Sequence, residues 1–249
     1  MNEPGRDRAA IVTGGARRIG RCIVETLHER GLSVLIHCNR STSEARALAD
    51  TLNGLRDGSA AFVSADLRDP AAAPRIVGAC LEAFGRIDVL VNNASTFYPT
   101  PVAGFSEDDW DELVDTNQRA PMRLSAAASE EMGDGSAIVN LVDIHGQVPL
   151  AGHAIYAQAK AGLIMQTRAL AKDLAPAVRV NAVAPGLILW PEGEGAPDAD
   201  EKKETLERIP MRRGGEPADV ARAVAWLALD ADYVTGQVLA VDGGRSLNM

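Results

Sequence analysis

A chain of 249 residues with 46% hydrophobic residues and 23 glycines is long enough to bury a sizeable core in one large α/β domain. Its formal net charge of −9 excludes a broad nucleic-acid or anionic-membrane surface, since either needs clustered Lys and Arg. An anion bound by such a chain is expected to be small and held locally.

Taken in order, the chain alternates strand and helix. Ala9–Val12 is a short apolar run that ends in a glycine-rich loop, and 19–30 continues as a helix closed by Gly31. Residues 33–37 form the second strand, and 43–55 carry helical periodicity with Ser43 as N-cap. A third strand at 61–64, a helix at 74–84 and a fourth strand at 87–91 follow. Ser106-Glu107-Asp108-Asp109 is a capping box opening a long helix towards Glu131, with Pro121 predicting a kink or break within it. Then come a strand at 136–142, a helix at 153–174, a strand at 178–183, a helix at Pro217–Leu229 and a last strand at Val238–Val241. Short strands alternating with helices predict a Rossmann-type doubly wound parallel sheet, covered by helices on both faces, in a single domain over 1–249. Ligands of such a sheet bind beyond the carboxyl ends of its strands. One segment departs from the alternation. Residues 190–203 are acidic and rich in Pro and Gly, and with their surroundings (187–212) read as a lid over the site.

Three groups of residues carry chemistry. Thr13-Gly14-Gly15-Ala16-Arg17-Arg18-Ile19-Gly20 joins strand to helix, so its backbone N–H groups and the helix N-terminus face an anion. Asn92-Asn93-Ala94 follows an apolar strand. Tyr156 and Lys160 are spaced to lie one turn apart on one helix face, where the ammonium is expected to favour the phenolate and lower the phenol's pKa. In that order and spacing these elements resemble the short-chain dehydrogenase/reductase family over essentially the whole chain. The resemblance implies a nicotinamide dinucleotide held by Gly14, Arg17, Arg18, Ile19 and Gly20. It adds Asp66 near the adenine, Asn93 and Ala94 beside the adenosine half, Pro185 and Gly186 on the nicotinamide side, and Tyr156 and Lys160 on the cofactor as well as in catalysis. The end of the second strand reads His37-Cys38-Asn39-Arg40-Ser41, with no acid until Glu44. A carboxylate there would repel a 2′-phosphate, whereas guanidinium and hydroxyl groups bind it, so Asn39, Arg40 and Ser41 predict NADPH/NADP+.

In that family Asn, Ser, Tyr and Lys form a proton-relay group. By position this chain supplies Asn117, Asp143, Tyr156 and Lys160. An ionised Asp143 only accepts hydrogen bonds and would repel a developing alkoxide, so it suits a nitrogen heterocycle better than a ketone. With Ser95 where most relatives have glycine, Phe97 two residues on, and Arg18, the set closely resembles the pteridine reductases. That resemblance implies a flat pterin of biopterin, monapterin or folate type, stacked between the nicotinamide and Phe97. Arg18 and Ser95 would hold its polar edge, Asp143 and Tyr156 its reacting side, and Leu187 and Trp190 would bind it from the lid. The alternatives are a carbonyl or ketoacyl reductase of the same fold, and a non-catalytic protein that senses NADPH.

Cys22, Cys38 and Cys80 lack metal-ligand spacing, and His28, His37, His145 and His153 show none either, so no metal is expected. The polar residues 1–8 contain no signal-peptide apolar run, and no stretch is apolar enough for a bilayer span. A cytoplasmic, soluble protein without nucleic-acid or membrane partners is expected. Val241-Asp242-Gly243-Gly244 resembles the family's C-terminal strand and turn, which implies a homotetramer.

Overall fold

Short runs of Val, Ile, Leu and Ala become strands because branched side chains suit the pleated backbone and the central runs are buried on both faces. In the computed structural model, which describes residues 8–190 and 197–249, these are β1 (Ala9–Val12), β2 (Ser33–Cys38), β3 (Ala60–Ser64), β4 (Ile87–Asn92), β5 (Met132–Leu141), β6 (Val178–Pro185) and β7 (Val238–Val241). They form one sheet in the order β3-β2-β1-β4-β5-β6-β7, and every pairing is parallel. The helices are α1 (Arg18–Glu29), α2 (Thr42–Leu55), α3 (Ala72–Phe84), α4 (Glu107–Val114), α5 (Ala120–Ser129), α6 (Ala154–Asp173), α7 (Ala199–Arg208) and α8 (Pro217–Leu229).

The two-residue period of a strand divides the core. Ala10 and Val12 face α1, α2 and α8 through Val24, Leu48 and Val224, whereas Ala9 and Ile11 face α3, α5 and α6 through Ile76, Leu124 and Leu170. The chain turns from one half of the sheet to the other between β1 and β4, which opens a crevice at their carboxyl ends. This is the expected Rossmann-type architecture.

A buried amide ladder supports the floor of that crevice. Asn92 lies opposite Asn140 in the β4–β5 register. Its Nδ2 donates to Asn140 Oδ1 at 2.8 Å and to Ser125 Oγ at 3.2 Å, and Asn140 Nδ2 donates to Thr167 Oγ1 at 2.9 Å. Four elements are thereby tied together in a buried region, where each unmade bond would be costly. Asn92 thus belongs to the core, and only Asn93 and Ala94 reach the crevice.

Several boundaries differ from the sequence reading, each for a local reason. The helix expected over 106–131 begins with the Ser106 capping box but is divided into α4 and α5 by a π turn at Asp115–Arg119. The turn's wider loop absorbs an extra residue, and Pro121 then falls in the first turn of α5, where its missing N–H costs nothing. Strand β5 starts at Met132, earlier than 136, through an irregular pairing between Ile87 and Val89. The region read as lid contains α7, started by a second capping box in which Asp198 accepts from the Glu201 N–H and Glu201 accepts in return. Residues 191–196 of that region, and 1–7 of the polar N-terminal stretch, lie outside the described residues. Among the described residues no helix is long and apolar enough to cross a membrane.

Candidate active site

The crevice begins at the loop after β1. Gly14 adopts φ 61°, a left-handed conformation that glycine takes without strain. Its N–H donates to His37 Nδ1 at 3.3 Å, and His37 Nε2 meets the Ala65 carbonyl at 3.0 Å, so the neutral ring carries its proton on Nε2. Burial holds His37 below the ordinary imidazole range, which keeps it in that form. A Cβ at Gly20 would lie 2.1 Å from the Gly14 carbonyl oxygen, so only glycine lets α1 begin so close to the loop. Thr13 Oγ1 accepts from the N–H groups of Asn93 (2.9 Å) and Ala94 (3.0 Å), and Asn93 Nδ2 donates to the Thr13 carbonyl at 2.8 Å. The Asn93 side chain therefore locks the two loops together.

Arg18 is unusual. It opens α1 with φ 52°, a conformation that costs a side-chain-bearing residue roughly 1–2 kcal/mol. Arg18→Gly is expected to raise the unfolding free energy by about 1 kcal/mol while weakening binding of anionic ligands. Denaturant titration beside a ligand-binding isotherm checks both halves, and a lower unfolding midpoint would contradict the strain.

A cleft of about 780 Å³ runs from this loop along the strand ends. Arg17, Arg18, Asn39, Arg40 and Ser41 line it, together with Asp66 and an arginine that sequence reasoning missed, Arg68. Arg68 stands two residues past Asp66 and pairs with its carboxylate at 3.0 Å, which holds Asp66 below the usual carboxylate range. The turn after β3 could have revealed it, because both side chains leave the same strand end. Guanidinium groups beside the N-terminus of α1 fit a diphosphate plus one further phosphate, and a dinucleotide carrying a 2′-phosphate suits this donor set.

At the other end of the cleft, Tyr156 Oη donates to Asp143 Oδ2 at 2.7 Å, and the His145 N–H holds Asp143 Oδ1 at 2.8 Å. Asp143 caps a short 3-10 turn at Ile144–Gly146, so its carboxylate is fixed from both sides. Lys160 is fully buried and donates from Nζ to the Leu141 carbonyl at 2.9 Å. Burial pushes it down to about 8, opposed by the charge of Asp143. The phenol differs from expectation. Burial first, then the charge of Asp143 and the hydrogen bond to it, push Tyr156 up, against a smaller lowering by Ser95. Lys160 does not reverse this, because its Nζ sits 5.7 Å from the ring centroid while Asp143 touches the hydroxyl. Tyr156 is a neutral donor.

Asn117, expected in the relay, makes its bonds elsewhere. On the π turn it accepts from Ser95 Oγ at 2.6 Å and donates to the carbonyls of Thr96 and Leu113, both at 2.9 Å. Its contacts anchor the loop that carries Ser95 and Phe97. Ser95, Phe97, Asp143 and Tyr156 all line the cleft, with Phe97 half exposed into it. Leu187 and Trp190 do not line it. The Leu187 carbonyl accepts from the Gly215 N–H at 2.8 Å, Trp190 lies 5.8 Å from Lys202 on α7, and the neighbouring Ile188 and Leu189 line the cleft in their place. Pro185 and Gly186 reach the cleft, and a Cβ at Gly186 would collide with Asp242 at 2.6 Å.

A family model described as enoyl-(acyl carrier protein) reductase matches residues 14–246. The chain is a short-chain dehydrogenase/reductase. This short-chain dehydrogenase/reductase is 35% identical to pteridine reductase 1 of Leishmania tarentolae, with 96% of each chain covered. It is 38% identical to the granaticin polyketide synthase putative ketoacyl reductase 2 of Streptomyces violaceoruber, again over 96% of each. Among solved structures it is similar to a blue fluorescent protein from a metagenomic library in complex with NADPH, with TM-score 0.88, 34% identity, and 96% and 98% of the two chains covered. As a member of this family it is an NAD(P)-dependent oxidoreductase.

Proposed function

We propose that this short-chain dehydrogenase/reductase is an NADPH-dependent pteridine reductase acting on an oxidised or dihydro-pterin. The observation that carries the reading is the Asp143–Tyr156 contact at 2.7 Å beside the half-exposed ring of Phe97. A carboxylate accepts from ring N–H groups and shares a proton with the phenol, which suits a heterocycle whose carbon gains hydride and whose adjacent nitrogen gains a proton. The nicotinamide supplies the hydride when bound. Gly14, Arg17, Arg18, Ile19 and Gly20 would hold its pyrophosphate, with Asn39, Arg40 and Ser41 on the 2′-phosphate. Asp66, Asn93, Ala94, Pro185 and Gly186 would flank the adenosine and nicotinamide ends.

In this reading Tyr156 delivers its proton to the ring nitrogen from its hydroxyl oxygen. A phenolate left beside an ionised Asp143 would be unfavourable, so the step uses Asp143 in its carboxylic-acid form: its O–H donates to Tyr156 Oη at 2.7 Å as the phenol donates to the ring nitrogen, and the resulting carboxylate takes its proton back from solvent. Lys160, held by the Leu141 carbonyl, keeps a positive charge behind the pair. Asn117 holds Ser95 and the Phe97 loop against the substrate. The segment 187–212 acts as lid, starting from Ile188 and Leu189. A ketoacyl reductase is the second reading, supported by the equally similar granaticin relative.

Assembly as a homotetramer is part of the same proposal. Strand β7 leaves one sheet edge open with Leu239 exposed, Trp226 and Leu247 are exposed in the same C-terminal region, and Met122 and Met165 are exposed on α5 and α6. The free thiols Cys22, Cys38 and Cys80 suit the reducing cytoplasm.

Cofactor choice gives a direct test. NADPH is expected to be preferred over NADH, and Arg40→Asp to reduce or reverse the preference by roughly ten- to a hundredfold, the scale of one charge-assisted contact. Equal kcat/KM for the two cofactors in the unmutated enzyme would contradict the 2′-phosphate site.

A further inference from the structure

We infer that His153 is a positioning residue for the substrate: its imidazole backs Phe97 and fixes the plane on which a flat heteroaromatic ring stacks. The inference rests on the pteridine-reductase reading. The Phe97 and His153 rings are stacked, with centroids 4.6 Å apart and planes 12° from parallel. Phe97 and Tyr156 also meet in a T-shaped contact, at 4.8 Å and 79°. Phe97 lines the cleft and His153 does not, so the histidine covers the ring's outer face and leaves its inner face to the substrate.

The histidine is itself held. His153 Nδ1 donates to the Ala151 carbonyl at 2.9 Å, and its backbone N–H donates to the Leu150 carbonyl at 3.2 Å. Thr100 forms a parallel bridge to His153, with the Thr100 N–H donating to the Gly152 carbonyl at 2.6 Å. The loop after β4 and the segment entering α6 are thus joined by backbone and by stacked rings. A half-exposed phenylalanine on a loop would otherwise sample several rotamers, and ordering it would weaken ligand binding. Contacts with His153 and Tyr156 remove that freedom before the substrate arrives. They also place the ring at a fixed distance from the proton donor, so ring plane and reacting hydroxyl are set by one cluster.

The experiment compares the unmutated holoenzyme with His153→Ala and His153→Phe. It measures biopterin affinity by fluorescence quenching in the presence of NADP+, and steady-state kinetics on dihydrobiopterin and on a non-planar ketoester. His153→Ala is expected to raise the biopterin Kd and dihydrobiopterin KM by roughly three- to tenfold, the scale of one aromatic contact. It should leave kcat, the NADPH KM and the ketoester KM within about twofold, and His153→Phe should restore the pterin values. An unchanged biopterin Kd in His153→Ala overturns the inference. So does an equal loss on every substrate, or a His153→Phe enzyme no better than His153→Ala. Biopterin that binds the unmutated enzyme without being reduced overturns the pteridine-reductase reading alone, leaving His153 to be judged on Kd. Biopterin that does not bind overturns both.

Discussion

Tyr156→Phe is expected to lower kcat for pterin reduction by at least about a hundredfold while leaving NADPH affinity nearly unchanged, the usual scale for a lost general acid. The phenylalanine preserves the edge contact with Phe97 but leaves Asp143 Oδ2 without its 2.7 Å donor. Because burial and Asp143 push the phenol up, the protein never relies on a standing phenolate. The same arrangement predicts the pH profile. Lys160, brought down to about 8 by burial, is charged below that value and neutral above it. The positive charge behind the Asp143–Tyr156 pair is therefore lost as pH rises through about 8, and kcat should fall along that limb. Stopped-flow traces of the mutant and steady-state profiles of the unmutated enzyme check the two halves. A Tyr156→Phe enzyme that keeps most of its pterin turnover would remove the phenol from the mechanism.

Much of this fold was legible in the sequence because strands such as β1 and the middle of β2 (Val34 to Ile36) are short apolar runs, which a sheet buried on both faces accommodates. The Tyr156/Lys160 pair was legible because its spacing is local to one helix. What escaped depended on burial, on neighbours distant in the chain, or on local signals masked by their surroundings. The phenol's shift follows from Asp143 and burial rather than from Lys160, one turn away. The π turn at Asp115–Arg119 interrupts a segment whose apolar pattern runs on, so the sequence offered Pro121 but not the wider turn. Helix α7 was hidden by its acidic, Pro-rich surroundings, although Asp198 and Glu201 formed a readable capping box. Arg68 entered the cleft through a bidentate contact with Asp66 that only the folded strand end creates.

Asp143→Ser should separate a heterocycle site from a ketone site. The serine removes the carboxyl that shares the phenol's proton and that accepts from the His145 N–H. Pterin kcat/KM is expected to fall by roughly a hundredfold or more, the range for a lost acid–base partner. Slow reduction of simple ketones should appear, because a neutral hydroxyl donates to a carbonyl oxygen without repelling the developing alkoxide. Asp143→Asn keeps the shape without the charge or the acid proton, and should lose pterin turnover without gaining ketone turnover. An Asp143→Ser enzyme that reduces pterins as well as its parent would make the carboxylate incidental.

The most direct measurement is a steady-state panel on the unmutated protein, following NADPH absorbance with biopterin, dihydrobiopterin, dihydromonapterin, dihydrofolate and simple ketones or ketoesters. Asp143 beside Tyr156, with Phe97 in contact with the same tyrosine, predicts that kcat/KM for at least one of the pterins exceeds that for every ketone by an order of magnitude or more, roughly the reach of one specific polar contact plus stacking. Efficient turnover of ketoesters with no oxidation of NADPH by any pterin would contradict the account and make the chain a ketoacyl-type reductase.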